Sequence, residues 1–249
     1  MEMMPYQANL DAPVMPAPVM QASDAAPALA QNDPALAAST AGRSMPVVMA
    51  PANDAAAAWQ TGLPTLRGLR LTLRELQQDD APALFAQLTN EEVTRFISPP
   101  PTSVEGFERF IAWAHRRRGQ GRYVCFAVVP KGQDAPVGMF QIQRPDPESD
   151  TAEWGFVLGA AYWGRGLFLE GALLVLAFAF GALGLARLEA RACLANGRGT
   201  GALRKLGAVC ERVLRGSFEK DGRHHDQGLW VLRPTWWRAL VAPRSHVVH

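Results

Sequence analysis

A long apolar segment constrains the fold of this chain more than any other feature of its sequence. Residues 167–183 are apolar almost all round, and Glu170 is their only charged side chain. The longest uncharged part, residues 171–186, falls short of the roughly 20 residues that a helix needs to cross a bilayer. The segment therefore predicts a buried helix that packs against a sheet.

Shorter strand and helix patterns surround this helix. Strands are predicted at residues 69–76, 123–129, 137–143, 153–158, 188–194, 213–218 and 228–232, and further helices after Asp79, at 107–117 and at 202–206. The early strands follow one another directly, which favours antiparallel pairing, and one strand–helix–strand crossover comes later. The predicted fold class is α/β in the mixed α+β sense: a mostly antiparallel central sheet with helices on both faces.

Composition divides the chain into three parts. The length of 249 residues is enough for one domain with a full core. Residues 1–60 are rich in Ala, Pro, Met, Gln and Asp without a lasting apolar period, so they are predicted to be a disordered tail, or alternatively a docking segment for a partner. The folded domain is expected at residues 61–240, and a flexible C-terminus at 241–249.

Charge and cysteine content exclude several classes of protein. A net charge of +2, from 25 basic and 23 acidic side chains, does not suit a strongly basic nucleic-acid binder. Three cysteines without a CxxC pair are too few for a disulfide framework, and no secretory signal is recognisable, so a reducing cytoplasmic location is expected. Residues 224–226, His-His-Asp, lack further ligands at metal-binding spacing, so no metal site is predicted.

A glycine-containing turn precedes the apolar helix. Gly164 and Gly166 flank Arg165 directly before the helix begins at Leu167. Glycines let a backbone approach a ligand closely, and the first helical N–H groups have no internal partners and favour an anion. The turn is therefore a candidate phosphate site, although a simple tight turn would have the same sequence. Its spacing fits neither the dinucleotide fingerprint nor the Walker loop.

Several motifs, in this order along residues 66–233, resemble the GNAT acetyltransferase superfamily and its RimJ/RimL-like branch. The matching stretches are Leu71-Thr72-Leu73-Arg74, Glu153-Trp154-Gly155-Phe156, Tyr162-Trp163-Gly164-Arg165-Gly166, Asn196, Lys205-Leu206-Gly207, and residues 214–226. The resemblance implies the GNAT fold, acetyl-CoA as co-substrate and no metal.

The resemblance also implies three groups of cofactor-binding residues. Backbone N–H groups of the turn would wrap the pyrophosphate, and this group consists of Trp163, Gly164, Arg165, Gly166, Leu167 and Phe168. Val157 and Leu158, at the end of a strand, would offer backbone groups to the pantetheine arm and the acetyl carbonyl. Asn196 would contact the cofactor or an ordered water.

Two residues are candidates for the catalytic chemistry. Glu153 would accept a proton from the attacking amine, since burial would raise the pKa of its carboxyl; alternatively it is a strand glutamate paired with an arginine. Leu203 occupies the position where many members have a tyrosine acid, and Gly199 the position where this branch often has serine. Thr200 is therefore the remaining candidate acid, as a weak substitute.

The expected function is acetyl-CoA-dependent N-acetyltransfer to a primary amine, either a protein N-terminus or a small molecule, by direct attack in a ternary complex. Loops at residues 97–104 and 119–122 are candidates for the acceptor site. Neither nucleic acid nor membrane is an expected partner, and the protein is expected to be a monomer or homodimer. The alternative is a catalytically silent CoA-binding or protein-interaction module, which Phe168 and Leu203 favour.

Overall fold

The computed structural model describes residues 58–235 of the chain, and these form an eight-stranded sheet with helices on both faces. The strands are β1 (Leu66–Arg67), β2 (Leu71–Glu75), β3 (Tyr123–Pro130), β4 (Gly138–Gln143), β5 (Thr151–Leu158), β6 (Arg187–Cys193), β7 (Val209–Lys220) and β8 (Arg223–Leu232). The helices are α1 (Ala81–Leu88), α2 (Glu91–Thr94), α3 (Val104–Gly119), α4 (Leu167–Gly181) and α5 (Gly197–Lys205).

The order of strands across the sheet is β1-β2-β3-β4-β5-β6-β8-β7. Among the described strands, β5 and β6 form the parallel pair, and α4 is the crossover between them; the other pairs are antiparallel. The mixed, mostly antiparallel fold predicted from the sequence is confirmed.

Two apolar clusters cover opposite faces of the sheet. Helix α4 packs on the face formed by Phe126, Phe140 and Trp154, while α1 and α3 pack on the face that includes Tyr123 and Met139. Nine of the fifteen residues of α4 are buried, which explains its nearly uniform apolar sequence. None of the helices described between residues 58 and 235 has the length and hydropathy to cross a membrane.

Some element boundaries differ from the sequence-based expectation. Helix α5 begins at Gly197 rather than at residue 202, because the Asn196 side chain caps it by accepting a hydrogen bond from the Gly199 N–H. Strand β7 extends well beyond residues 213–218 in both directions because it pairs with β8 in a long hairpin. Most of its residues are exposed and several are charged, so the sequence lacks the alternation of apolar and polar residues that would have predicted the full length of the strand.

The described residues begin just before the predicted domain boundary. Trp59, assigned to the tail from the sequence, has only 3% of its surface exposed and belongs to the core on the α4 face, so packed residues start before position 61. Arg118 also donates a hydrogen bond to the Gln60 carbonyl. The interpretations of residues 1–57 as a tail and of 241–249 as a flexible end lie outside the described residues.

Candidate active site

The parallel ladder between β5 and β6 is short and opens into a cleft. It ends at the pair Glu153–Glu189. Beyond this pair β5 continues to Leu158 with β4 as its ladder partner, while β6 stays paired with β8. The sheet therefore splays at the position predicted from Val157 and Leu158, and peptide groups of residues 154–158 on the β6 side lie outside a ladder.

A cavity of about 370 Å³ lies at this cleft. Glu153, Asn196 and Val157 line it. Of the two loops predicted for the acceptor site, residues 97–104 contribute Ile97–Pro99, directly after the lining residue Phe96, whereas residues 119–122 do not line the cavity. The cleft thus connects the open end of β5 to a space large enough for a small group or the end of a peptide.

The Glu153 carboxyl lines this cavity and has a raised pKa. Burial raises its pKa to about 7, Arg191 opposes the rise and Glu189 adds to it. Since desolvation dominates, the carboxyl is poised to exchange a proton near neutral pH. The arginine neighbour required by the alternative interpretation is also present, so the structure accommodates both readings and favours a proton acceptor on grounds of pKa.

The glycine turn has the backbone shape expected of an anion site. Gly164 and Gly166 have φ values of 73° and 77°, in the left-handed region that favours glycine. Gly166 is the N-cap of α4 and offers no side-chain cap to the first helical N–H groups, unlike the caps Asn90, Ser103 and Asn196 of other helices. A Cβ on Gly164 would meet nothing within 4 Å. These features fit a diphosphate.

Arg70, which sequence reasoning missed, holds the turn in place. Its Nη1 donates to the Arg165 carbonyl at 2.8 Å, and its backbone N–H donates to Glu170 Oε1 at 2.8 Å. A Cβ on Gly166 would lie 2.6 Å from Arg70 Nη1, so a side chain there would displace the guanidinium from its contact with the turn, in addition to the strain at positive φ. In the sequence Arg70 resembles any exposed strand residue and carries no signal of this contact.

Trp163 connects the turn to both sides of the cleft. Its Nε1 donates to the Leu158 carbonyl at 2.8 Å, and the Arg198 guanidinium lies 3.8 Å from the centre of its ring. The Leu158 carbonyl, one of the backbone groups predicted for the pantetheine arm, therefore already accepts one hydrogen bond, and its second lone pair is left for a ligand. Val157 lines the cavity and is paired with Met139 in the β4 ladder.

Phe168 packs against the sheet. Its ring centre is 4.5 Å from that of Phe156 and 6.0 Å from that of Phe140. The aromatic ring is thus engaged by strands β5 and β4, where it contributes to the core, and Leu167 beside it is buried. The first-turn residues of α4 anchor the helix start, and the N–H groups remain the part of the turn available to a ligand.

Helix α5 gives different environments to the predicted residues Asn196 and Thr200. Asn196 lines the cavity while its Oδ1 caps the helix at 2.9 Å from the Gly199 nitrogen. Thr200 is buried, does not line the cavity, and its hydroxyl lies 3.1 Å from the Asn196 carbonyl oxygen and 3.3 Å from that of Gly197. With its proton held by the helix backbone, Thr200 is not brought together with Glu153. This geometry argues against its assignment as an acid.

Strand β7 supplies the outer wall of the cavity through an irregular segment. Its register against β8 shifts between Leu214 and Phe218, and Gly216 within this segment has a φ of 56°. Ser217, Phe218 and Glu219 line the cavity. The bulge therefore turns side chains of an edge strand towards the cleft.

The residues considered for metal binding have other contacts. Asp226 accepts hydrogen bonds from Arg215 Nη1 and from the Gly216 N–H. Within residues 58–235, no group of three or more His, Cys, Asp or Glu side chains is arranged to hold a metal ion.

Comparison with known proteins supports one family. Residues 70–209, more than half of the chain, match the family model described as an acetyltransferase (GNAT) domain. The chain is 29% identical over 169 residues to the uncharacterized N-acetyltransferase p20 of Bacillus licheniformis, covering 68% of this chain and 95% of that protein.

Solved structures share the fold. Mycobacterium smegmatis RimJ in complex with CoA-disulfide has a TM-score of 0.64 at 20% identity, covering 72% of this chain and 94% of that one. RimL, a ribosomal L7/L12 alpha-N-protein acetyltransferase in complex with coenzyme A, has a TM-score of 0.62 at 15% identity, covering 68% of this chain and 98% of that one.

Proposed function

The chain belongs to the GNAT acetyltransferase family, and from this premise we propose that it transfers the acetyl group of acetyl-CoA to the free α-amine of a protein N-terminus. One observation carries the proposal. The β5–β6 ladder ends at Glu153, and the carboxyl of this residue, with a pKa of about 7, lines the cavity where the sheet opens, on the same strand that leads to the glycine turn.

The chain offers a binding surface for each part of the co-substrate. The N–H groups at the start of α4, between Trp163 and Phe168, would hold the diphosphate, with Arg70 fixing the turn. The open edge of β5 around Val157 would accompany the pantetheine arm, and Asn196 stands beside it. When bound, acetyl-CoA supplies an activated acetyl thioester.

Glu153 performs the proton transfer in this proposal. An amine attacks a carbonyl only as the neutral base, so its excess proton must be removed. A carboxyl with a pKa of about 7 is largely ionised at slightly alkaline pH and is still basic enough to accept that proton, directly or through water. Direct attack within a ternary complex needs no nucleophile from the protein, and Cys193, near the cleft, is buried.

The choice of a protein N-terminus as acceptor is supported by one neighbour in fold, RimL, which is described as a ribosomal L7/L12 alpha-N-protein acetyltransferase. A small-molecule amine is the other acceptor class. The Phe96–Pro99 loop lines the cavity, whose volume of about 370 Å³ suits a chain end that enters while the rest stays outside.

The test is a thiol-release assay with acetyl-CoA and three peptides of one sequence: a free N-terminus, a blocked N-terminus, and a blocked N-terminus with an added lysine. We expect CoA release with the free N-terminus only, and a mass increase of one acetyl group on that peptide. Release with lysine or small amines alone would contradict the acceptor class.

A silent CoA-binding module is the second candidate, and one observation favours it. The hydroxyl of Thr200 is held by its own helix and Leu203 lines the cavity at the position where the resemblance expects an acid, so neither of these two positions offers a proton for the leaving thiolate. Calorimetry distinguishes the two: CoA binding without thiol release for any amine would support the silent module.

A further inference from the structure

A glutamine on β4 reaches across β5 into the cavity that contains Glu153. Gln141 pairs with Gly155 in the β4–β5 ladder, two residues beyond the pair Gln143–Glu153. A Cβ on Gly155 would lie 2.9 Å from Gln141 Nε2 and 3.3 Å from its Cγ. The missing side chain of Gly155 therefore leaves the space in which the Gln141 carboxamide lies over β5, on the way to the splayed end of the strand.

The Tyr123 hydroxyl fixes which end of this carboxamide faces the cavity. It donates a hydrogen bond to Gln141 Oε1 at 2.5 Å. Tyr123 is itself immobilised: only 3% of its surface is exposed, and its ring lies 4.8 Å from that of Trp113 on α3. With the oxygen held, the amide N–H groups of Gln141 are the part left for a ligand.

The face of the sheet on which Gln141 lies indicates which of the two substrates its side chain contacts. Helix α4, with Leu167 and Phe168 at its start, packs on the face of Phe140 and Trp154, whereas Gln141 shares the opposite face with Tyr123 and Met139. Trp163 of the glycine turn packs against both faces. The Phe96–Pro99 loop, which lines the cavity with Gln141, joins helices on this same face. Gln141 therefore approaches the cleft from the acceptor side.

We infer that Gln141 is a specificity-determining residue, which donates a hydrogen bond to a carbonyl oxygen near the reacting amine, and that Tyr123 is its positioning residue. The inference rests on the proposed function. It assigns to the pair a preference for amines that carry a neighbouring carbonyl, as the first residue of a peptide does, over alkyl amines. The hydrogen bond aligns the amine beside Glu153 and leaves proton transfer to that carboxyl.

The experiment compares two acceptors, tetra-alanine amide and n-butylamine, with each enzyme variant. Gln141→Met should lower kcat/KM for the peptide about tenfold, mainly through KM, as expected for loss of one hydrogen bond, and should change kcat/KM for n-butylamine less than about twofold. Because each acceptor is compared with itself across variants, the different basicities of the two amines cancel. Equal losses for both acceptors would overturn the inference.

Three further variants separate positioning from structure. Tyr123→Phe and Gly155→Ala should both reduce activity selectively for the peptide, and Tyr123→Phe should add nothing in the Gln141→Met background. Gln133→Met is the matched control, since Gln133 also lies within reach of a tyrosine hydroxyl, 3.4 Å from that of Tyr162, but on an exposed loop outside the cavity. Additive losses would make Tyr123 merely structural.

Failure of the proposed function leaves the inference testable. If the wild-type protein acetylates neither amine, calorimetric titration of tetra-alanine amide into the CoA-loaded protein replaces kinetics. Weaker peptide binding by Gln141→Met than by wild type and Gln133→Met would support the role of Gln141 even in a silent module. Equal or absent binding in all three would overturn it.

Discussion

Replacing Glu153 by glutamine should change the slope of the pH–rate profile as well as the rate. A carboxyl whose pKa rises from 4.5 to about 7 is about 3 kcal/mol harder to ionise than an exposed one, at 1.36 kcal/mol per pKa unit. At pH 6 only about a tenth of the enzyme would therefore carry the ionised base, with a further tenfold loss for each lower pH unit.

The acceptor contributes a second proton to this profile. A peptide α-amine has an ordinary pKa of roughly 8, so below pH 7 both the ammonium group and Glu153 must lose a proton before reaction. The logarithm of kcat/KM should rise with a slope near two in the wild-type enzyme and near one in Glu153→Gln. The variant should also lose about 10²- to 10⁴-fold in kcat, the usual contribution of a general base.

The assay is thiol release at constant ionic strength from pH 5.5 to 9, with acetyl-CoA saturating and a free-N-terminal peptide as acceptor. Glu189→Gln is the matched control: it removes the carboxylate that raises the pKa of Glu153, so the steep limb should persist and move to lower pH. An unchanged slope in Glu153→Gln would refute the assignment of Glu153 as the base.

Three further predictions concern stability and co-substrate binding. Because the raised pKa lets the folded state keep a proton that the unfolded chain releases, Glu153 should lower the stability of the fold progressively as the pH rises from 4.5 to 7. Thermal denaturation should therefore find Glu153→Gln more stable than wild type at pH 8, by up to about 3 kcal/mol, but not at pH 4.5. Equal gains at both pH values would contradict this. Gly166→Ala and Gly164→Ala should each lower the free energy of unfolding by roughly 1–2 kcal/mol through left-handed strain. Calorimetry should show a larger loss of CoA affinity for Gly166→Ala than for Gly164→Ala, because only the Cβ at position 166 would crowd a guanidinium, at 2.6 Å. Asn196→Ala should lose about 0.5–2 kcal/mol as a helix cap and also CoA affinity, while Asn90→Ala, the cap of α2, should lose stability alone; identical affinities would reduce Asn196 to a cap.

The sequence allowed the architecture to be predicted and a candidate site to be located within it, because both depend on local patterns. The apolar run that begins at Leu167 and the glycines before it identify a buried helix with an open N-terminus. The placement of Glu153 on a strand next to a crossover followed from element order together with the family resemblance. Its raised pKa could then be expected from burial, because residues on a strand in the middle of a sheet are generally buried.

What escaped prediction depends on contacts between distant segments. Arg70 and Arg165 are 95 positions apart, and Tyr123 and Gln141 meet only once β3 and β4 are in register. No local period reports either contact. The start of α5 was placed too late for a different reason: its glycines lower intrinsic helix propensity, and the cap and the burial of Leu203 outweigh that cost.

Under the proposed function, the irregular part of β7 would give this scaffold a way to vary its choice of acceptor. The ladder between β6 and β8 and the carboxyl at the sheet opening are held by other strands, so an insertion or deletion between Leu214 and Phe218 would reshape one wall of the cavity and leave the proton-accepting group undisturbed. A library of variants confined to this hairpin should therefore yield enzymes that accept different amines but show the same Glu153 ionisation on the acid side of their pH–rate profiles.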